Sequence, residues 1–214
     1  MEILYADNQI VVCVKPAGVL STDEPGGMPE KLRAELGSEN IRSVHRLDRA
    51  VGGLMVYART RHAAGDLGKQ VMGRGIGKEY FAIIEGCPSE KSGRLRDNLW
   101  RDKSERKTYA LPAPTAETQE AELSYEVLET RGGLSAVRIH LHTGRTHQIR
   151  AQFSSRGLPL HGDKKYGGGG NSGVALWSCA LRFDQPKTGE KMEFFRLPPA
   201  EYPWMEFECF KEKK

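Results

Sequence analysis

The sequence contains no run of about 18 apolar residues, the length that an α-helix needs to cross a lipid bilayer. Its first residues lack the basic start, apolar middle and small-residue cleavage site of a secretory signal. They also lack the Arg/Ser-rich, acid-poor composition of a transit peptide. These absences argue against a membrane protein or membrane partner, and they predict a cytoplasmic protein.

Cysteine is scarce and scattered along the chain. The four cysteines, Cys13, Cys87, Cys179 and Cys209, form no CxxC pair. A disulfide framework is typical of small secreted domains, whereas 214 residues suffice for a sizeable hydrophobic core. We therefore expect thiols without a disulfide or metal role.

Signals for a metal or a nucleotide cofactor are also weak. His140, His142 and His147 lie close in sequence, but no cysteine or carboxylate stands nearby at a ligand spacing. The glycine run at 167–170 lacks the Lys-Ser/Thr of a phosphate-binding P-loop. We expect neither a metal nor a cofactor. A metal-dependent hydrolase that uses the histidines stays open as an alternative.

Positive charge is unevenly distributed. The net charge is only +4, which alone says little about partners. Residues 138–166, however, hold six Lys/Arg against one acid, Asp163. A second cluster comprises Arg101, Lys103, Arg106 and Lys107. These clusters predict a basic face that suits nucleic acid.

Hydrophobic periodicity predicts an α+β fold. Short strands outnumber helices, and several strands are joined by turn sequences typical of hairpins. We expect a mixed, largely antiparallel central sheet with flanking helices and a basic catalytic cleft, in one domain over 1–214. Strands are predicted at 3–5 and 10–14, with a turn at 7–8 between them, and at 53–58, 79–85, 122–129, 134–141, 175–183 and 192–195. Helices are predicted near 29–36, 61–72 and 146–156.

One polar cluster, residues 44–53, precedes a predicted buried strand. Arg46 and Arg49 flank Asp48, and arginine neighbours favour an ionised carboxylate that can act as nucleophile or base. Gly52 and Gly53 permit the close approach of another backbone or of a substrate. A structural ion pair at the strand end explains the same residues, and the spacing alone does not choose between the two.

A second polar cluster, residues 143–150, lies between a strand and a helix. Thr146 is predicted to cap the helix, so that Arg145 and His147 would lie at an anion-binding helix start. Arg150 follows about one turn later and could point into a cleft. A solvated basic helix face is the alternative.

Taken together, these clusters resemble the RluA-type pseudouridine synthase family. The similar segments appear in the family's order along nearly the whole chain. They are 15–18 (KPAG), 45–48 (HRLD), 78–82 (KEYFA), 143–150 (TGRTHQIR) and 157–163 (GLPLHGD). Two positions depart from the family pattern. Val51-Gly52-Gly53 replaces the usual Thr-Ser-Gly, and Cys179 replaces a histidine.

The resemblance implies a cofactor-free isomerase that converts uridine to pseudouridine in ribosomal or transfer RNA. It implies that Asp48 is the catalytic carboxylate, that Arg150 pairs with it, and that Tyr80 contacts the uracil. Arg46 would help open or hold the RNA, and the target base would flip out of its stack. From the basic face we add four RNA-binding candidates: Arg106, Lys107, Arg145 and His147.

The resemblance also concerns organisation. Some family members carry a small N-terminal RNA-binding domain, and we expect none here because the first predicted strand starts at residue 3. We expect a monomer. A non-catalytic RNA-binding module is a second alternative, although such a protein would be expected to lack Asp48 or Tyr80.

Overall fold

The structure, a computed structural model, describes residues 1–211. Its Cα positions divide into two compact units. The first comprises Met1–Lys78 and Ser178–Arg196, and the second comprises Glu79–Trp177 and the segment that begins at Leu197. None of the helices in residues 1–211 combines the length and hydropathy that a bilayer span requires.

The first unit is a sheet with two helices. Its strands are β1 (Glu2–Ala6), β2 (Ile10–Lys15), β3 (Arg42–Ser43), β4 (Gly52–Ala58), most of β10 (Leu176–Asp184) and β11 (Lys191–Phe195). Its helices are α1 (Met28–Leu36) and α2 (Arg61–Met72). The order is β1-β2-β4-β10, with β3 paired to β4 and β11 to β10. The pairings β1–β2, β2–β4, β3–β4 and β10–β11 are antiparallel.

Apolar side chains from α2 and from the strands form the core of this unit. Ala63 and Leu67 of α2 are buried with Val12 of β2, Val56 of β4 and Leu181 of β10. Their spacing places the apolar residues of α2 on one face, as the sequence predicts.

The second unit is an antiparallel sheet with one α-helix. Its strands are β5 (Gly77–Glu85), β6 (Ser92–Asp102), β7 (Lys107–Leu111), β8 (Gln119–Arg131) and β9 (Leu134–Leu141), in the order β5-β9-β8-β6-β7. Helix α3 (Gln148–Ser154) is shorter than the predicted 146–156. Three 3-10 helices follow at Lys164–Tyr166, Trp204–Glu206 and Glu208–Phe210.

The β6–β7 hairpin is the main element that was not predicted from the sequence. On β6 the buried leucines Leu95 and Leu99 stand four residues apart, so the alternation typical of a strand is hidden. The outer face is polar instead, and there Arg94 and Arg96 pair with Glu122 of β8. Elsewhere the predicted strands and helices are present, and the α+β class with a largely antiparallel sheet is confirmed. The single-domain assignment stays a prediction.

Close packing explains two of the glycines in the run at 167–170. A Cβ on Gly168 would lie 2.0 Å from the Leu160 carbonyl oxygen, and one on Gly170 would lie 2.5 Å from the His161 ring. Only glycine fits such close approaches.

Candidate active site

Asp48 lies in a loop of the first unit that is fixed on both sides. Before it, Leu47 is buried, and its N–H and C=O both bond to the Ser21 hydroxyl at 3.2 and 2.9 Å. After it, the Val51 N–H donates to the Asp48 carbonyl at 3.0 Å and closes a turn. Asp48 itself is half-buried. Its backbone is therefore held while its carboxylate lies near the protein surface.

The KPAG segment supports this loop from the other side. The Gly18 N–H donates to the Arg49 carbonyl at 2.7 Å, and Arg49 Nε donates back to the Gly18 carbonyl at 2.8 Å. Gly18 has φ +86°, a conformation that glycine adopts without strain. The KPAG segment is thus hydrogen-bonded to Arg49, the residue that follows Asp48.

Lys15 places a buried positive charge next to the Asp48 loop. Its side chain is fully buried, and Nζ donates to the carbonyls of Pro16, Val19 and Arg49 at 2.9, 2.7 and 3.4 Å. Burial lowers the pKa of Lys15 to about 8, and the charge of Asp48 opposes that shift. Lys15 therefore stays largely protonated at neutral pH and interacts favourably with the Asp48 carboxylate.

His45 ties the loop to strand β4. Its Nε2 accepts a hydrogen bond from the Val56 N–H at 3.1 Å, so the neutral ring carries its proton on Nδ1. Burial lowers the pKa of His45 well below its ordinary value, and the charge of Lys78 lowers it further. His45 is thus a neutral hydrogen-bond acceptor that supports the loop.

Gly53 is required by a close backbone approach, as the sequence analysis allowed. Its φ is +118°, and a Cβ there would lie 2.3 Å from the Ser178 carbonyl oxygen. No other residue fits without movement of the strands. In this chain Val51-Gly52-Gly53 therefore keeps the glycine that strand packing requires.

In the second unit, Arg150 forms a buried bidentate pair with Asp163. Nε lies 2.6 Å from Oδ2 and Nη2 lies 2.8 Å from Oδ1. The two side chains are only 7% and 1% exposed, so the pair is shielded from solvent. Asp163, the lone acid in the basic stretch, thus fixes the plane of the guanidinium. The predicted pair of Arg150 with Asp48 stays a prediction.

Tyr166 connects this pair to the β6–β7 hairpin. The Arg150 guanidinium lies over the Tyr166 ring at 4.8 Å, an attractive cation–π arrangement. The Tyr166 hydroxyl accepts the Thr108 N–H of β7 at 2.8 Å and lies 2.9 Å from His147 Nδ1. Burial raises the pKa of Tyr166, so the phenol keeps its proton. Tyr166 therefore links Arg150 to the backbone of the hairpin.

The start of α3 differs from the prediction. Its N-cap is His147, with φ +54°, and not Thr146, whose carbonyl accepts the Thr108 hydroxyl at 2.9 Å. The Gln148 side chain provides the hydrogen bond to the loop before α3, because its Oε1 accepts the Arg145 N–H at 3.0 Å. The prediction that Thr146 caps α3 is wrong, since Gln148 provides the local hydrogen bonds.

The other candidate residues occupy distinct positions. Tyr80 is buried in β5, opposite Ile139 of β9. Arg46 is exposed and belongs to the first unit, as the half-buried Asp48 does, whereas the remaining candidates belong to the second unit.

Three RNA-binding candidates belong to the second unit, where two are exposed and the third, Lys107, packs against aromatic rings. Arg106 is exposed in the β6–β7 turn with φ +52°. Lys107 Nζ lies 5.1 Å from the Tyr109 ring and 5.3 Å from the Tyr166 ring. Arg145 is exposed, and its Nε donates to the Glu120 carbonyl at 3.0 Å.

Within residues 1–211, no group of three or more His, Cys, Asp or Glu is arranged to hold a metal ion. His140 and His142 pack edge to face with ring centroids 4.9 Å apart, and His142 Nε2 lies 3.1 Å from the Ser124 hydroxyl. Cys13 and Cys179 are buried free thiols, and Cys87 and Cys209 are exposed free thiols.

Comparison with known proteins agrees with the sequence motifs. The family model described as RNA pseudouridylate synthase matches residues 9–155. The uncharacterized RNA pseudouridine synthase YlyB of Bacillus subtilis (strain 168) is 32% identical over 208 residues, which cover 91% of this chain and 68% of YlyB. RNA pseudouridine synthase 2, chloroplastic, of Arabidopsis thaliana is 32% identical over 188 residues, 74% of this chain and 44% of that protein.

Solved structures support the fold. Human RNA Pseudouridylate Synthase Domain Containing 1 matches with a TM-score of 0.79 at 24% identity, over 94% of this chain and 84% of that one. Because the family model covers more than half of the sequence, and because relatives above 30% identity align over most of it, the chain belongs to the RluA-type RNA pseudouridylate synthase family of isomerases.

Proposed function

We propose that this protein isomerises uridine to pseudouridine in ribosomal or transfer RNA and that Asp48 is its catalytic carboxylate. Membership of the family supports the reaction. The assignment of Asp48 rests on the geometry of its loop. Hydrogen bonds that involve Ser21 and Val51 hold the loop, and the buried cation Lys15 lies next to it. A nearby positive charge favours the ionised carboxylate that a nucleophile or base requires.

The reaction is an isomerisation, so it needs no oxidant and no second substrate. The bond from ribose C1′ to uracil N1 breaks, the detached ring rotates, and a bond from C1′ to C5 forms. The C5 hydrogen leaves as a proton and N1 gains one. Asp48 starts this sequence as nucleophile or base, and Tyr80 contacts the uracil and assists proton transfer. Arg150, held rigidly by Asp163, supplies the fixed positive charge.

The RNA is bound mainly through its phosphates. We propose that Arg46, Arg106, Lys107, Arg145 and His147 contribute to this binding, and that the target uridine flips out of its stack to react. The protein is proposed to act as a monomer in the cytoplasm and without a metal.

Salt dependence tests the binding surface. If Arg106 and Lys107 contact phosphates, Arg106→Ala and Lys107→Ala should each reduce the slope of log K against log salt by about 0.7 on single-stranded RNA. Lys91 is exposed at the other end of β6 and provides the control, because Lys91→Ala should leave the slope unchanged. Equal slopes for all four proteins would remove Arg106 and Lys107 from the binding surface.

Loss of the C5 hydrogen offers a direct assay of the function. Ribosomal RNA and transfer RNA, each labelled with tritium at uridine C5, are incubated with the purified protein after treatment with EDTA. The proposal predicts tritium release from at least one RNA, with intact strands. No release from either RNA, or zinc-dependent strand cleavage, would contradict it.

A further inference from the structure

A cavity of about 570 Å³ lies beside the β6–β7 hairpin in the second unit. That volume is within the range of sites that hold small ligands. The residues that matter for its chemistry are three cations, an aromatic ring and one acid: Arg101, Lys103, Arg145, Trp100 and Glu117. The proposed catalytic residues are not among those that line it.

Positive charge dominates the cavity. Two of its cations are oriented by the protein, since Arg101 Nη1 donates to the Thr108 hydroxyl at 3.3 Å and Arg145 Nε to the Glu120 carbonyl at 3.0 Å. Lys103 is exposed at the end of the hairpin. With these cations anchored at the wall, the cavity is suited to a phosphate group.

Trp100 provides a rigid aromatic surface. Its Nε1–H donates to Glu117 Oε2 at 2.9 Å, and its ring stacks on Tyr109 with centroids 6.2 Å apart and an interplanar angle of 27°. The Glu117 carboxylate thereby orients the indole of Trp100, a half-buried residue. A ring held in this way loses little conformational freedom when a second ring packs against it.

We propose that this cavity binds one unpaired nucleotide of the substrate RNA, with its base on Trp100 and its phosphate on Arg101 and Arg145. A base within a duplex is already stacked on its neighbours, whereas an unpaired base can enter a cavity and stack on an aromatic side chain. This inference rests on the proposed function and adds that the RNA is recognised outside the reacting uridine, at a nucleotide without a pairing partner.

The test compares variants of the full chain in the tritium-release assay and in binding to an RNA oligonucleotide. Stacking of one base corresponds to about 5- to 150-fold in affinity. Trp100→Ala should therefore raise KM and Kd about tenfold or more for RNA with an unpaired segment, with kcat unchanged. Trp100→Phe, which keeps a ring, should raise them less, and Arg101→Gln should raise them as well.

Arg94→Gln is the matched control, because Arg94 is exposed on the same strand, pairs with Glu122 and does not line the cavity. Its KM should equal that of the wild type. On a fully paired RNA, Trp100→Ala should bind as the wild type does. Unchanged KM for both Trp100→Ala and Arg101→Gln, or equal losses on paired and unpaired RNA, would overturn the inference. The proposed function would stand in either case while the wild-type protein releases tritium, and it would fail if that release is absent.

Discussion

The ion pair between Arg150 and Asp163 tests how much a buried pair contributes to the free energy of unfolding. Asp163→Asn keeps the shape of the side chain but removes the charge that accepts both hydrogen bonds of the guanidinium. Removal of one partner from a buried ion pair costs about 3–5 kcal/mol. For a chain of this length, 1 kcal/mol corresponds to about 2–4 °C in the unfolding midpoint, so Tm should fall by about 6–20 °C.

The pair between Arg182 and Glu193 supplies the control. Their side chains are 41% and 60% exposed, and such pairs contribute about 0–1 kcal/mol. Glu193→Gln should therefore lower Tm by no more than about 4 °C. Both variants are measured by circular dichroism during heating. If Asp163→Asn lowers Tm no more than Glu193→Gln does, the prediction that burial makes the Arg150–Asp163 pair costly to break is wrong.

A double substitution separates stability from activity at this pair. Replacing a buried ion pair by apolar side chains is often neutral, whereas breaking it is costly. Arg150→Met combined with Asp163→Leu should therefore recover much of the Tm that Asp163→Asn loses, but it should remain inactive. Recovered stability with near-normal tritium release would remove Arg150 from the catalytic machinery.

Further predictions concern pH, backbone and metal. The pKa of His45 is lowered in the folded protein, so its contribution to stability is complete above pH 6.5 and is lost as the pH falls below that value, by up to about 1.4 kcal/mol per pH unit. His45→Asn should flatten this part of the profile of unfolding free energy against pH, measured by urea unfolding. Gly53→Ala should leave little folded protein at 37 °C, while Gly65→Ala in α2, where a Cβ meets no atom within 4 Å, should add about 1 kcal/mol of stability. Tritium release should persist in EDTA, and a loss that zinc restores would favour the metal-dependent hydrolase.

Much of this structure follows from local sequence patterns. Helix α1 begins with Pro29 in its first turn and ends at Gly37, which adopts the left-handed conformation expected of a C-terminal glycine. The apolar face of α2 and the hairpin of β8 and β9 follow in the same way from spacing and turn residues. The ordered motifs identified the family, and two of them lie close together in the fold, because Gly18 of 15–18 hydrogen-bonds to Arg49, the residue that follows 45–48.

Other features depend on contacts that no local pattern reveals. The hairpin of β6 and β7 has no clear sequence signal, because Asp97 stands between the buried Leu95 and Leu99, where alternation would place an apolar residue. The partner of Arg150 is 13 positions away, and the only signal for it was a single acid, Asp163, within a basic stretch. The burial of Lys15 could not be predicted from the sequence, because Lys15 followed by Pro16 is typical of a strand end and burial depends on contacts made in the folded chain.

The central claim is that Asp48 carries the chemistry, and one measurement tests it most directly. Asp48→Asn keeps the size and hydrogen-bonding shape of the side chain but removes the charge of a nucleophile or base. Tritium release from C5-labelled RNA is compared for the wild type and Asp48→Asn under single-turnover conditions, at RNA concentrations that saturate both. We predict unchanged RNA affinity and no release by the variant. Release within about tenfold of the wild-type rate, a loss of only about 1.4 kcal/mol of transition-state stabilisation, would contradict the account.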